Sequence, residues 1–177
     1  MKAVFFDRDG TLIENVPYNN DPSKVTLMSQ ARETLARLKE GGFALFVISN
    51  QSAVGRGWVT EADVAAVNGA MNKLLGEDFF KKFYLCYAAP EDSSCQRRKP
   101  SPEMILEAKK EYGVDLSQSF MIGDRLVDVE CGRNAGCRSV WLPSGTCNEA
   151  EAAESRRKAD FTAADLKEAA DWILKQS

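Results

Sequence analysis

Asp7 and Asp9 stand where the apolar run Ala3-Val4-Phe5-Phe6 stops and Gly10-Thr11 begins. An apolar run bounded by a turn signal reads as a strand buried on both faces, which puts both acids at its C-terminal end. Gly10 releases the backbone to turn there. If the strand persists, the two carboxylates share a side. One can attack phosphorus and form an acyl phosphate, while the other protonates the leaving oxygen and later deprotonates water. A capping turn with solvated aspartates uses the same residues, but carboxylates at a buried strand are costly unless used or paired, which favours chemistry.

Four further segments carry suitable groups. Leu45-Phe46-Val47-Ile48 runs into Ser49, Asn50 and Gln51, a hydroxyl and two amides that can hydrogen-bond phosphoryl oxygens without neutralising them. Gly55-Arg56-Gly57 adds a cation that could equally be a solvated loop arginine. In Arg97-Arg98-Lys99-Pro100, the lysine can meet a phosphoryl oxygen as a compact charge and an arginine can grip a second phosphate with two hydrogen bonds. Arg97 reads as part of a basic helix-entry loop. Finally, Phe120-Met121-Ile122-Gly123-Asp124-Arg125 repeats the pattern of an apolar strand turning at glycine into an acid. Asp124, Asp7 and the backbone carbonyl of Asp9 would form a hard oxygen site of the kind Mg²⁺ prefers, with water completing it. Asp128 could be an acid behind those ligands or a helix-start residue stabilised by the dipole.

These residues need elements to bring them together, and the sequence supplies an alternation of apolar runs and amphipathic stretches. Strands are expected at 2–6, 43–49, 83–87, 119–123 and 138–142, in a mostly parallel sheet covered by helices. Gln30 to Glu40 places Ala31, Leu35 and Leu38 on one helical face, ended by Gly41-Gly42. Thr60 is the expected N-cap of a helix with Asp63 in its first turn and Val64, Val67, Met71 and Leu74 on its apolar face. Ser101-Pro102-Glu103 opens a helix to about Tyr112 with Pro102 in its first position. Val127 to Ala135 and Ala163 to Lys175 read as further helices, and the tail from Asn148 is polar and alanine-rich. The irregular segments 10–28, 50–59 and 88–100 each follow an expected strand. All three should therefore crowd the end of the sheet that carries the two aspartates.

Composition narrows the chemistry. The chain has 177 residues, 44% apolar and 28% charged, with net charge −3, which suits a single domain over 1–177. Scattered basic residues offer no strip for nucleic acid, and no apolar stretch approaches the roughly 20 residues that span a bilayer. The N-terminus running straight into a strand is read as lacking a signal peptide. Five cysteines, odd in number and widely spaced, suit reduced thiols in the cytoplasm better than a disulfide framework. Histidine is absent, which excludes a Ser-His-Asp triad, a Cys-His pair and an imidazole base; acid/base work falls to carboxylates or lysine.

Taken in order, Asp7-x-Asp9-Gly10-Thr11, Ser49-Asn50, Lys99-Pro100 and Gly123-Asp124-x-x-x-Asp128 resemble the successive motifs of the haloacid dehalogenase-like phosphatases. That resemblance implies an α/β fold with a doubly wound sheet, helices on both faces and no cap domain, since the gaps where caps are inserted are short. It also implies a phospho-aspartyl intermediate on Asp7, acid/base work by Asp9, stabilisation of the phosphoryl group by Ser49 and Lys99, and Mg²⁺ held at Asp7, Asp9 and Asp124. Finer detail, in Ser49-Asn50-Gln51-Ser52-Ala53-Val54-Gly55-Arg56-Gly57 and Cys95-Gln96-Arg97-Arg98-Lys99-Pro100, is similar to the D-glycero-D-manno-heptose 1,7-bisphosphate phosphatases and the related histidinol-phosphate phosphatases. Carried over by position, Asn15 and Tyr18 belong to the substrate loop, Ser49, Asn50, Gln51 and Ser52 hold the phosphoryl end, Arg98 recognises the substrate and Arg125 stands beside the metal acid. Arg56 and Arg98 would meet a remote phosphate. The branch carries a zinc loop, but only Cys86 and Cys95 remain at its positions. Structural zinc takes about four protein ligands, so no zinc is expected. The resulting expectation is a monomeric enzyme that removes the 7-phosphate of a heptose bisphosphate. Histidinol phosphate, another small phosphorylated metabolite, phosphoryl transfer to another acceptor, or a non-catalytic phosphate-binding module are the alternatives.

Overall fold

The structure is a computed structural model that describes residues 1–176. Strands β1 (Ala3–Phe6), β2 (Ala44–Asn50), β3 (Phe80–Cys86), β4 (Phe120–Gly123), β5 (Arg138–Trp141) and β6 (Phe161–Thr162) form one parallel sheet in the order β3-β2-β1-β4-β5-β6. The helices are α1 (Ala31–Glu40), α2 (Ser52–Gly55), α3 (Glu61–Leu75), α4 (Glu103–Tyr112), α5 (Leu126–Ala135), α6 (Glu149–Lys158) and α7 (Leu166–Leu174). This is the doubly wound arrangement. Its connections reverse direction between β1 and β4, and the strand ends on either side of such a reversal form a crevice.

Alternation along the central strands feeds two cores. Val4, Phe6, Leu45, Val47, Phe120 and Ile122 face α1, α3 and α7, while Ala3, Phe5, Phe46, Ile48 and Met121 face α4 and α5. Burying each of these side chains other than that of Ala3 contributes about 1.5–3 kcal/mol, which fixes the register of β1 between β2 and β4. Thr60 and Asp63 form the expected capping box, with Asp63 N donating to Thr60 Oγ1 at 3.1 Å and Thr60 N donating to Asp63 Oδ2 at 2.8 Å.

Several expectations need correction. Leu74 is solvent-exposed and Leu75 is buried in its place; eleven positions on from Val64 is about three whole helical turns, so Leu75 continues the Val64–Val67–Met71 stripe. Pro102 is the N-cap of α4 rather than its first helical residue. Strand β3 begins at Phe80, because Lys81 and Lys82 interrupt the apolar run without ending an edge strand, where lysine is well tolerated. The polar tail contains α6, started by Asn148 accepting from Glu151 N at 2.9 Å, and the two-residue β6, too short to register as a pattern.

Candidate active site

The reversal of the sheet puts Asp7 and Asp124 side by side. Asp7 N donates to Ile122 O at 2.9 Å, tying the end of β1 to β4, so the residues following each strand emerge together. Gly10 makes this possible: its φ is +81°, and a Cβ there would strike the Asp124 carboxylate. Gly123 likewise leaves room for the side chain of Asp128, which a Cβ would overlap.

Lys99 closes the group from the far side. Its Nζ lies 2.7 Å from Asp7 Oδ1 and 2.6 Å from Asp128 Oδ1, and donates to Ile48 O at 2.9 Å. Burial by itself would make this lysine easier to deprotonate, but Asp128 and Asp7 outweigh it and hold the ammonium above its ordinary range. The backbone of Lys99 is bracketed by the Asn50 amide, whose Oδ1 accepts from Lys99 N at 3.1 Å and whose Nδ2 donates to Lys99 O at 3.2 Å. Asn50 therefore positions Lys99, a job its expected contact with the phosphoryl end did not include.

Asp7, Asp124 and Asp128 can each bring one carboxylate oxygen within 4.8 Å of the others. Asp124 Oδ2 accepts from Ser144 Oγ at 2.6 Å and Thr146 Oγ1 at 3.0 Å, whereas Asp124 Oδ1 is buried with no hydrogen-bond partner. Burial, then the charge of Asp7, pushes the Asp124 carboxyl above its ordinary range. Burial also raises Asp128, with Lys99 opposing and Asp7 adding to the rise. Three clustered carboxyls with one ammonium and an unpartnered buried oxygen fit a small hard divalent cation. Asp128 is a helix-start residue, its Oδ2 accepting from Arg125 N at 3.0 Å, and its Oδ1 lies 2.6 Å from Lys99 Nζ, a partner the sequence reading did not include.

Asp9 points into the cavity with its carboxylate held from behind by Arg8 Nε and Nη2, both at 3.1 Å, and by Gln51 Nε2 at 2.9 Å. Gln51 Nε2 also donates to Ser49 Oγ at 2.8 Å. The Gln51 amide thus joins Asp9 to Ser49, which was not part of its expected role.

The residues Asp7, Asp9, Asn15, Ser49, Asn50, Ser52, Arg98, Lys99, Asp124, Arg125, Val127, Asp128 and Thr146 line a cavity of about 260 Å³. A neighbouring hollow of about 360 Å³ shares Asp9, Asn15, Asn50, Ser52 and Arg125 with it and extends to Tyr18, Asn19 and Val59. Arg98 Nη1 donates to Ser52 Oγ at 2.6 Å and to Ala88 O at 3.2 Å. Arg125 pairs with Glu151 at 2.7 Å. Arg56 is not brought in: it pairs with Glu91 at 2.8 Å and lies 4.9 Å from the centre of the Trp58 ring, outside the lining of both hollows. Sequence reading missed Arg8, Thr146 and Ser144. Arg8 occupied a spacer position, and the two hydroxyls follow β5 in a segment with no apolar pattern. Cys86 Sγ at the end of β3 and Cys95 Sγ in the loop that follows lie 3.3 Å apart as free thiols.

Acids following two adjacent central strands, met by a buried lysine, define the class of haloacid dehalogenase-like phosphatases, and this chain is an enzyme of that class. A family model described as HAD-hydrolase-like matches residues 96–169. The D-glycero-D-manno-heptose-1,7-bisphosphate 7-phosphatase of Chlorobaculum tepidum is 36% identical, over 99% of this chain and 96% of that protein. The D-glycero-beta-D-manno-heptose-1,7-bisphosphate 7-phosphatase of Haemophilus ducreyi is 30% identical over 97% and 98%. A crystal structure of D,D-heptose 1,7-bisphosphate phosphatase from B. bronchiseptica, complexed with magnesium and phosphate, superposes with a TM-score of 0.85 over 100% of both chains at 24% identity, and so shares the fold. At the identity and coverage of the Chlorobaculum tepidum and Haemophilus ducreyi relatives, the chain belongs to the heptose-bisphosphate phosphatase family. Among the described residues no helix is long and apolar enough to cross a membrane.

Proposed function

We propose that this phosphatase removes the 7-phosphate of D-glycero-D-manno-heptose 1,7-bisphosphate, with Asp7 as nucleophile and Mg²⁺ as cofactor. The observation that carries the reading is the placement of Asp7: it lies in the cavity wall with a carboxylate oxygen within 4.8 Å of one from Asp124, whose Oδ1 is unpartnered, and with Lys99 Nζ on Asp7 Oδ1. That contact leaves Oδ2 to attack phosphorus. As the new bond forms, the bond from phosphorus to the sugar oxygen breaks, and Asp9 gives that oxygen its proton. Water then attacks the phospho-aspartyl phosphorus, Asp9 takes the water's proton, and inorganic phosphate leaves Asp7. The Ser49 and Ser52 hydroxyls line the cavity and can donate to phosphoryl oxygens through both steps, and Lys99, its three N–H groups held by Asp7, Asp128 and Ile48 O, supplies positive charge beside them.

Asp7, Asp124 and the Asp9 backbone carbonyl would hold the Mg²⁺, with Asp128 behind them; when bound, it supplies charge stabilisation for the phosphoryl oxygens. The joined hollows, with Asn15, Tyr18, Arg98 and Arg125 at their walls, suit a substrate with a second anionic end. Arg98 is the cation placed for that end, and Arg56 would have to leave Glu91 to help. The names of the relatives support this substrate over histidinol phosphate. Free thiols fit a reducing compartment such as the cytoplasm. A role in carbohydrate metabolism and action as one unit follow from the same reading; α7 packing back on α1 through Arg37–Asp171 at 2.6 Å supports the second.

The test is phosphate release from heptose 1,7-bisphosphate and from histidinol phosphate, with and without Mg²⁺, by the native chain and by Asp7→Asn. Preference for the heptose substrate, dependence on Mg²⁺ and loss of turnover in a folded Asp7→Asn are expected. Equal slow turnover of both substrates, or activity retained by Asp7→Asn, would refute the proposal.

A further inference from the structure

Arg8 lies between the two acids of the first motif, where the strand pattern treats it as a spacer, yet its side chain is only 3% exposed. Burying a guanidinium is costly unless its donors are matched. Here they are. Nε and Nη2 reach the two oxygens of Asp9 at 3.1 Å each, Nη2 also donates to Gln51 Oε1 at 3.0 Å, and Nη1 donates to Asn68 Oδ1 on α3 at 2.8 Å. Asp9 is the one anion among these partners, and it is 26% exposed. The cation lies behind the carboxylate with respect to the cavity that Asp7 and Lys99 line, reaching only the edge of the neighbouring hollow, and the carboxylate faces both.

The fork geometry matters. Nη2 lies 2.9 Å from Asp9 Oδ2 as well as 3.1 Å from Oδ1, so the guanidinium spans both oxygens, and N–H groups that do so restrain the plane of a carboxylate as well as its position, which a lysine does not. Gln51 adds a third donor to Asp9 from the side of Ser49. Asn68 in turn anchors the guanidinium to a helix whose core face, through Val64, Val67 and Met71, is buried. The chain Asn68–Arg8–Asp9–Gln51–Ser49 connects the hydrophobic core to the cavity wall without passing through the metal-side acids. Were Arg8 only a tie between α3 and the turn, a neutral amide facing Asn68 would serve, and no buried positive charge would be needed.

We infer that Arg8 is a positioning residue that locks the plane of the Asp9 carboxylate against the reacting oxygen, using α3 as its abutment. The inference rests on the acid/base role given to Asp9 above. A proton-transfer group contributes about 100- to 10,000-fold, and a misplacement of about 1 Å can remove about 100-fold of rate. Loss of the fork should therefore lower kcat and leave KM nearly unchanged.

The experiment compares heptose 1,7-bisphosphate with p-nitrophenyl phosphate in the Mg²⁺-loaded enzyme. The sugar oxygen needs a proton to leave, and p-nitrophenolate does not; both phospho-enzymes need water deprotonated. For Arg8→Lys, kcat on the sugar substrate should fall by about 10- to 100-fold with KM within about twofold. With p-nitrophenyl phosphate there should be a rapid burst of p-nitrophenolate followed by slow turnover. Added to Asp9→Asn, the same substitution should cost less than about twofold more, because the group it positions is already gone. Asn68→Ala, which leaves charge and turn intact, should show the same pattern more weakly and decides the matter if Arg8 variants do not fold. A rise in KM alone, no burst, or a full additive loss in the Asp9→Asn background would overturn the inference. If Asp9→Asn keeps native turnover, the acid/base reading fails and this inference with it; if Asp9→Asn is inactive while Arg8→Lys and Asn68→Ala are normal, only the positioning role fails.

Discussion

Lys99 and Asp128 form an ion pair of 2.6 Å in which neither side chain is more than 2% exposed. Such a pair is poor evidence of stability in itself, but removing one partner leaves an uncompensated buried charge at a cost of about 3–5 kcal/mol. Asp128→Ala is therefore expected to destabilise the fold by about that amount, softened by Asp7, the second carboxylate on Lys99. Urea unfolding checks it. With Asp128 gone, Lys99 has only Asp7 to neutralise it, so kcat of the folded fraction should fall more than KM changes.

The acid cluster makes a signed prediction about pH and Mg²⁺. Burial and Asp7 hold the Asp124 carboxyl above the ordinary value of 3.8. A carboxyl raised in the folded state binds its proton more tightly there than in the unfolded chain. It favours folding while protonated and loses that contribution as pH climbs from the ordinary carboxylate value through the folded one. Mg²⁺ would bind the charged form and offset the loss. The rise in melting temperature on adding Mg²⁺ should accordingly be larger at about pH 7.5 than at about pH 5. An equal rise at both would show that the cluster is not the binding site.

Asn50 brackets Lys99 through both of its backbone groups, so Asn50→Ala should act on the lysine from a distance. Leaving two partly buried groups unmatched costs about 1–3 kcal/mol each. A moderate loss of stability with kcat down by about tenfold or more is expected, measured by calorimetry and steady-state kinetics on the same preparation. Asn50→Asp restores only the acceptor half of the bracket and should rescue part of the stability.

What the sequence could and could not disclose divides along the range of the interactions. The strands and their terminal acids were legible because an apolar run next to Asp7 or Asp124 is a local signal, and the doubly wound topology followed from alternation and the motif resemblance. Asn50 was read as a phosphate contact because nothing nearby shows that its partner lies 49 positions on. Arg8 was hidden for the same reason: its amide partner is 60 residues away on α3. Asp128 stayed ambiguous because an acid behind the metal ligands and a helix-start acid have the same local spacing; its contact with Lys99, twenty-nine positions back, has no local signal. Helix α6 escaped notice because only Ser155 on it is fully buried, so no apolar stripe announced it.

The thiols should differ sharply in reactivity. Burial pushes Cys131 and Cys137 up to about 12, where almost no thiolate exists at neutral pH. Burial acts the same way on Cys95, but the backbone N–H of Arg97 and the Cys86 thiol outweigh it and hold Cys95 below its ordinary range. Iodoacetamide on the native protein should label Cys95 well before Cys131 or Cys137, as read by peptide mass spectrometry. Labelling of all three at one rate would mean that the fold opens on the timescale of the reaction.

Gly10 offers the most selective way to separate the metal-side acids from the fold. Its φ of +81° is one that side-chain-bearing residues rarely adopt, and a Cβ would be driven into the Asp124 carboxylate. The backbone part of that conflict costs about 1–2 kcal/mol, small against the burial of Leu12, Ile13 and the rest of the core that packs around this turn. The steric part falls on Asp124, whose Oδ2 is already fixed by Ser144 and Thr146. The carboxylate must therefore turn or retreat, taking Oδ1 out of line with Asp7. Gly10→Ala is expected to stay folded, to need at least about tenfold more Mg²⁺ for half-maximal activity, and to show a smaller thermal gain from Mg²⁺ than the native chain. Native Mg²⁺ dependence in a folded Gly10→Ala would place the cation elsewhere than between Asp7 and Asp124.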